Sequence, residues 1–300
     1  MILAVTGATG FVGGHLLDLA LREGHLVRAL TRSAQQPREG VTWVEGALDR
    51  PDSLAALVSD AAAVIHVAGV VSAPNRAAFE AGNAEGTRTM LAATQAAGVR
   101  RFVHVSSLSA REPTLSDYGW SKAEAERLVA GSPLAWTIVR PPGIFGPGDT
   151  ELLDLFRIAK RRVMPLPPAG GRASWIYAPE LVRLLLALAS SDVAAGDTLE
   201  PDDAVPNGWD HRDFARAIGR AIDVGVMPLS LPRPVLRIAA AVDGLARGSE
   251  AKLTRDRVGY LSHPDWVCRR PPPPALWRSE TPTPAALRET ARWYRARGLL

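Results

Sequence analysis

The sequence predicts an α/β fold, a doubly wound parallel sheet joined to a smaller, mostly helical C-terminal lobe, and three observations predict it. Short apolar runs alternate with amphipathic helical stretches through the first 140 residues, the pattern of a parallel sheet covered on both faces. The runs are nearly continuous in Val, Ile, Leu and Ala, as burial of both faces of a strand requires. The first run breaks at VTGATGFVGG, residues 5–14, a glycine turn that leads straight into a helical pattern.

Taken in order, strands are expected over 2–6, 26–31, 42–45, 63–68, 102–106 and 136–140, with helices over 11–23, 52–60, 78–98 and 118–130 between them. After Arg140 the character changes. Pro and Gly cluster at 141–148 and 165–171, a Pro-rich run occupies 271–274, and helical patterns recur at 150–161, 179–190, 210–222 and 284–297. Residues 175–177 and 197–199 read as short strands returning to the sheet. Residues 1–145, with a returning segment at about 174–200, are therefore expected to form one domain. Residues 146–173 and 201–300 are expected to form a lobe that closes over the ligand and supplies substrate contacts.

The glycine turn has a physical meaning. A strand, a tight turn and a helix start present backbone N–H groups and the positive end of a helix dipole to a phosphate. Gly7 permits the turn, Gly10 allows close approach of a pyrophosphate, and Gly13 lets the helix pack on the sheet. Thr9, Phe11 and Val12 complete the set of cofactor-contacting positions. A Rossmann dinucleotide site follows from this context rather than from the glycines alone. Arg32 ends the second strand where an NAD-preferring site has an Asp or Glu for the ribose hydroxyls. A guanidinium there favours the 2′-phosphate of NADP, with NAD less favoured; the plainer reading is a solvated strand end.

Ser107 closes the fifth strand, and Tyr118 and Lys122 follow in YGWSK. On a helix over 118–130 they share a face at i, i+4. A phenol titrates near 10 unaided, and a neighbouring ammonium is expected to lower that value. Tyr118 then relays the proton, Ser107 holds the substrate oxygen, and Lys122 also reaches the nicotinamide ribose. Ser109 is a rival for the serine role.

With these motifs in place, the chain resembles the extended or atypical short-chain dehydrogenase/reductases of the NAD-dependent epimerase/dehydratase type. The resemblance rests on TGATGFVG, HVAG (66–69), NAEGT (83–87), VSS (105–107), YGWSK (118–122), RPPGIFGPGD (140–149) and the terminal RETARWYRARGLL. It implies that Val67, Ala68 and Gly69 line the cofactor, that Asn83 bends its helix and supports Lys122, and that Pro141 and Ile144 flank the nicotinamide. Three departures stand out. Ala47 replaces an adenine-contacting Asp, leaving Leu48 for backbone or packing contact. Only ten residues separate Ser107 from Tyr118. Arg172 falls one residue off the register of an arginine that would hold a sugar-nucleotide diphosphate.

Composition sets outer limits. The chain has 300 residues, 47% hydrophobic and 22% charged, with a formal charge of +4 and one cysteine, Cys268. An intrachain disulfide and a cysteine zinc site are excluded, no spacing suggests a metal, and a cytoplasmic location is expected. The tight basic groups 160–162 and 269–270 do not make a nucleic-acid footprint. The apolar stretches 184–189 and 238–242 fall far short of a membrane span, so no membrane partner is expected. His66 and His104 read as satisfied core residues. Trp175, Trp209, Trp266 and Trp277 either pack the lobe or line an apolar pocket.

The expected activity is hydride transfer between NADP and a secondary alcohol or ketone. The expected substrate is a small, largely apolar molecule, since Met164, Leu166, Trp175, Met227, Leu229 and Leu231 dominate the segments assigned to its pocket. A homodimer is compatible with the sequence. A sugar-nucleotide epimerase/dehydratase and a non-catalytic NADP-binding sensor or assembly protein are the competing readings.

Overall fold

In chain order the elements are β1 (Ile2–Thr6), α1 (Phe11–Arg22), β2 (Leu26–Thr31), β3 (Val41–Glu45), α2 (Pro51–Val58), β4 (Ala63–His66), α3 (Arg76–Phe79), a π-helical turn (Glu80–Glu85), α4 (Gly86–Ala96), β5 (Arg101–Val105), a 3-10 turn (Leu108–Arg111), α5 (Asp117–Ala130) and β6 (Ala135–Val139). They continue as β7 (Gly143–Phe145), α6 (Glu151–Ala159), β8 (Val163–Leu166), β9 (Arg172–Ala173), β10 (Trp175–Tyr177), α7 (Ala178–Ala189), β11 (Asp197–Leu199), β12 (Trp209–Asp210), α8 (His211–Ala221), β13 (Met227–Ser230), α9 (Arg233–Arg247), α10 (Arg255–Leu261), β14 (Asp265–Trp266) and α11 (Thr283–Ala296). The structure, a computed structural model, describes residues 1–248 and 255–300.

Seven parallel strands in the order β11-β6-β5-β4-β1-β2-β3 make the central sheet. Strand order reverses direction between β1 and β4, so a ligand crevice is expected beyond their carboxyl ends. The helices bury their apolar stripes on the sheet, as Leu54, Leu57, Met90 and Val129 do with Val64, Phe102 and Ile138. The Rossmann fold anticipated from the strand and helix alternation is present, with ends displaced by one or two residues.

The chain divides into two units. The first comprises residues 1–141, 179–201 and 270–278; the second comprises 142–178, 202–269 and 279–300. Residues 270–278 thus join the first unit, where Glu200 N–H donates to the Arg270 carbonyl (2.6 Å) and the Trp277 indole donates to the Glu180 carbonyl (3.1 Å). The second unit has its own core, in which Phe145, Phe156, Met164, Ile218, Leu287 and Tyr294 are buried together.

Two expectations need correction. Residues 175–177 do not return to the central sheet; they pair with β7, and only β11 extends the sheet, beside β6. Pro141 and Pro142 end the sixth strand, and Gly143 opposite Trp175 makes the new pairing fit, because a Cβ there would sit 2.5 Å from the indole. The single helix expected over 78–98 is instead α3, a π turn and α4, an arrangement in which one extra residue is accommodated at a functional position.

Arg101 links the edge of the sheet to the helix behind it. Its guanidinium is buried and donates to the carbonyls of Leu188 (2.7 Å) and Ala135 (2.6 Å) and to Thr137 Oγ1 (2.7 Å). Burial pushes its pKa down, with Asp192 acting in the opposite direction. Arg101→Ala strands these acceptors and is expected to cost about 2–4 kcal/mol of stability, read as a lower urea midpoint with an unchanged m-value; a change under about 0.5 kcal/mol would contradict it.

Candidate active site

The turn after β1 is set by backbone contact. Gly7 has φ +72°, and a Cβ on it would lie 2.7 Å from Ala68 N; a Cβ on Gly13 would lie 2.0 Å from the Gly7 carbonyl oxygen. Both clashes are with main chain, so neither position accepts a side chain without moving the turn. At Gly10 the nearest atom to such a Cβ is the Gly7 oxygen at 3.3 Å, and Thr9 and Gly10 are exposed. Gly10 precedes Phe11 as the helix cap. No side chain caps α1 and its first turn carries no acidic residue, so the N–H groups around Phe11 and Val12 suit an anion. These features fit a dinucleotide pyrophosphate.

The other candidate contacts of the first unit follow the carboxyl ends of β2, β3, β4 and β6. Val67, Ala68 and Gly69 leave β4 in extended chain, and Ala68 N–H donates to Thr6 Oγ1 (3.1 Å). Arg32, just past β2, is exposed and makes no ion pair among the described residues. The Leu48 carbonyl accepts from the Thr89 hydroxyl, and its side chain lies where a Cβ on Gly86 would be (2.7 Å). Pro141 is buried, and its carbonyl accepts from Leu108 N–H (2.9 Å). Ile144 lies on β7, in the second unit, paired with Ile176.

Ser107, Tyr118 and Lys122 come together at the carboxyl end of β5. Ser107 caps the 3-10 turn, accepting from Ser109 N–H (3.2 Å) and from the Ser109 hydroxyl (2.9 Å). Its hydroxyl also bonds the Tyr118 phenol. Ser109, the rival, is buried and directed at Ser107. Ser116 caps α5 through Gly119 N–H (2.9 Å). One turn on, Lys122 Nζ is buried and donates to the Val105 carbonyl (2.8 Å).

The electrostatics differ from the expectation. The Tyr118 phenol is pushed up from its ordinary value, because burial outweighs the opposing hydrogen bond from Ser107. Burial also pulls Lys122 down to about 8, with Glu126 acting against it. A desolvated lysine that must itself be supported does not lower its neighbour here.

That support comes from residues to which the motifs assigned no role. Glu126, one helical turn beyond Lys122, accepts from the Ser106 hydroxyl (2.5 Å) and binds Arg140 through both oxygens (2.9 and 2.6 Å). Arg140 also meets Glu200 (3.5 Å), which pairs with Arg111 (3.8 Å). Glu126 and Glu200 are buried. The carboxylate spacing in SKAEAE was the available signal, since it puts Glu126 on the helix face of Tyr118 and Lys122.

Asn83 sits in the π turn, as its helix-bending role required, but it does not touch Lys122 through a hydrogen bond. It clamps Val70 through both N–H (2.7 Å) and carbonyl (3.0 Å) and donates to Ser121 Oγ (2.9 Å). His66 is a satisfied core residue, bonded to Thr6 Oγ1 (2.7 Å) and Thr87 Oγ1 (3.2 Å). His104 is not: both ring nitrogens lack partners, and the ring stacks on His66 at 5.4 Å. Burial, with Lys122 nearby, pulls His66 to about 3 and His104 well below its usual value, so both are neutral.

In the second unit Arg172 is spent on the Asn207 (2.6 Å) and Gly208 (2.8 Å) carbonyls. Trp175 stacks on Phe214 (4.0 Å), Trp209 meets the same ring edge-on, and Trp266 stacks on Tyr260 (4.5 Å). These tryptophans pack, and Trp277 belongs to the first unit. Met164 and Leu166 are core residues, whereas Met227 and Leu229 are exposed.

Comparison with known proteins agrees with this geometry. Residues 7–153 match a family described as NAD(P)H-binding. The chain is 33% identical to the ceramide reductase of Caulobacter vibrioides over 309 residues, covering 100% of this chain and 96% of that one. It is 29% identical to the 3-diazoavenalumate denitrifying reductase of a Streptomyces species, covering 89% and 98%. The Bordetella bronchiseptica enzyme WbmH, solved in complex with NAD+, superposes with a TM-score of 0.75 over 99% of both chains at 16% identity, a likeness of fold.

Lys122 offers a test by pH. Its folded pKa of about 8 lies below the ordinary 10.5, so the unfolded chain binds more protons between those values and wild-type stability gains as pH rises through that window. Below pH 8 the full cost of burying the ammonium is present. Lys122→Met is expected to match or exceed wild-type melting temperature at pH 7, with the difference shrinking towards pH 10.5. A variant several degrees less stable at pH 7 would show that the buried ammonium is not a net cost.

Proposed function

The chain belongs to the extended short-chain dehydrogenase/reductases of the NAD-dependent epimerase/dehydratase type, is an NAD(P)-dependent oxidoreductase, and on that footing we propose that it reduces the ketone of a largely apolar substrate with NADPH. The observation that carries the proposal is the meeting of Ser107, Tyr118 and the buried Lys122 at the carboxyl end of β5.

The α1 turn with Gly7, Gly10, Gly13, Thr9, Phe11 and Val12 would hold the pyrophosphate. Arg32 would hold the 2′-phosphate, and Leu48 with Val67–Gly69 would bound the adenosine side. Lys122 and Pro141 would bound the nicotinamide riboside. When bound, the cofactor supplies a hydride to the carbonyl carbon. Ser107 Oγ donates a hydrogen bond to the substrate oxygen and fixes its position. Tyr118, a phenol and so protonated at neutral pH, gives its phenolic proton to that oxygen as negative charge develops there. One hydride and one proton convert the ketone to a secondary alcohol.

Arg32 supports NADPH over NADH by its exposure and lack of an ion pair. A relative of nearly equal length named for reducing ceramide supports an apolar, lipid-like substrate. The commitment of Arg172 to two backbone carbonyls counts against a sugar-nucleotide diphosphate, which needs convergent cationic donors.

Arg32→Asp is expected to move the preference from NADPH towards NADH in a fluorescence titration. Wild-type protein that binds NADH about tenfold more tightly than NADPH would overturn the cofactor assignment. Tyr118→Phe is expected to keep NADPH affinity and lose about 10²–10⁴-fold in turnover on an apolar long-chain ketone. Near-normal turnover would refute the role of Tyr118. With NADP present, thermal stabilisation by UDP-glucose but not by apolar ketones would favour epimerase/dehydratase chemistry instead.

A further inference from the structure

The second unit carries an apolar surface that its own core does not use. On α9, Leu236 and Ala240 are buried with Val258, and these make the helix's contact with its unit. The opposite face presents Val235 (43% exposed), Ile238 (65%), Val242 (59%) and Leu245 (89%). Their spacing of i, i+3, i+7 and i+10 forms one continuous stripe. Among the described residues only one of the two apolar faces of this helix is covered.

The strand ribbon that leads into α9 repeats the pattern. β13 runs parallel to β8, with Met227 opposite Val163 and Leu229 opposite Pro165. Met164 and Leu166 point to the core, whereas Val163, Met227 and Leu229 are exposed. The ribbon's outer face is therefore apolar, and the chain passes from it into α9 after Pro232.

The charge along the ribbon and the first turns of α9 is mainly basic. Lys160, Arg161 and Arg162, immediately before β8, are exposed, as are Arg233 and Arg237 on α9. Residues 155–172 and 224–242 contain no Asp or Glu. The bordering acids are Asp154, Asp223 and Asp243; Asp154 pairs with Arg157 (3.6 Å) and Asp223 with Arg295 (3.8 Å). Apolar side chains rimmed by cations match the boundary of an anionic bilayer, where acyl chains take the former and headgroup phosphates the latter.

We propose that the outer face of the β8–β13 ribbon and the exposed stripe of α9 dock this protein on the surface of an anionic lipid membrane. The docking is peripheral, since no described helix is long and apolar enough to cross a bilayer. It revises the expectation of no membrane partner, which followed from the absence of a span alone. A second copy of the chain is disfavoured on this face: a two-fold contact places a patch against itself, bringing like charges together. The proposal does not depend on the catalytic assignment, and its test uses no activity.

The test is flotation of the full chain with vesicles of phosphatidylcholine alone or mixed with phosphatidylglycerol. Wild-type protein is expected to float with the mixed vesicles, weakly with phosphatidylcholine, and less as salt shortens the Debye length. Ile238→Gln with Val242→Gln is expected to lower vesicle affinity about tenfold while gel-filtration volume and circular dichroism stay unchanged; Leu245→Gln serves if that pair misfolds. Arg161→Gln with Arg162→Gln is expected to remove the preference for phosphatidylglycerol. No flotation, flotation indifferent to these substitutions, or a wild-type dimer that the Gln pair splits without any vesicle binding would each overturn the proposal.

Discussion

A lysine ammonium held out of water is the constraint around which the carboxyl end of the sheet is organised. Lys122 is buried against the Val105 carbonyl, and an ammonium in that setting is costly unless charge and hydrogen bonds compensate. Glu126 provides the compensating charge one turn away. It is then itself a buried carboxylate, held by Ser106 and Arg140, and Arg140 draws in Glu200 and Arg111. The chain of partners ties α5 to β5, to β6 and to the segment after β11. The placement of Ser107 and Tyr118 follows from it, since Ser107 adjoins Ser106 and Tyr118 lies on the same helix face as Lys122 and Glu126.

The same end of the sheet meets a second requirement through backbone alone. Thr6 of β1 accepts from Ala68 N–H and bonds His66, so the glycine turn and the chain leaving β4 are held by one hydroxyl. Gly7 and Gly13 lack side chains because main chain already fills the space. An anion-binding turn is thus built without a charged residue, while the cationic and acidic groups are concentrated behind β5 and β6. The neutral His66–His104 stack separates these arrangements, and its neutrality follows from burial beside Lys122.

The second unit obeys a different economy. Its core is aromatic, with Trp175 and Phe214 stacked face to face and Phe156 edge-on to Tyr294. Arg172, Asp203 and Asp210 are engaged with backbone or indole groups of their own unit. What remains unspent is apolar and basic surface on the β8–β13 ribbon and α9.

The sequence by itself determined the strand and helix alternation, the glycine turn and the candidate Ser-Tyr-Lys set, because each is written in local spacing. Gly7 to Gly13, and Tyr118 to Lys122, are close in the chain, so steric and helical periodicity express them directly. It also placed Asn83 in a bent helix. It did not determine that β10 pairs with β7, that Asn83 serves Val70 and Ser121, or that Tyr118 is raised rather than lowered. Nor did it determine which apolar residues of the second unit face inward: Met164 and Met227 are alike in sequence, and one is core while the other is exposed. These outcomes turn on burial and on partners far apart in the chain, such as Glu126 with Arg140 and Arg140 with Glu200. Only tertiary structure removes water from a group, and removal of water decides both the sign of a pKa shift and the meaning of an apolar side chain.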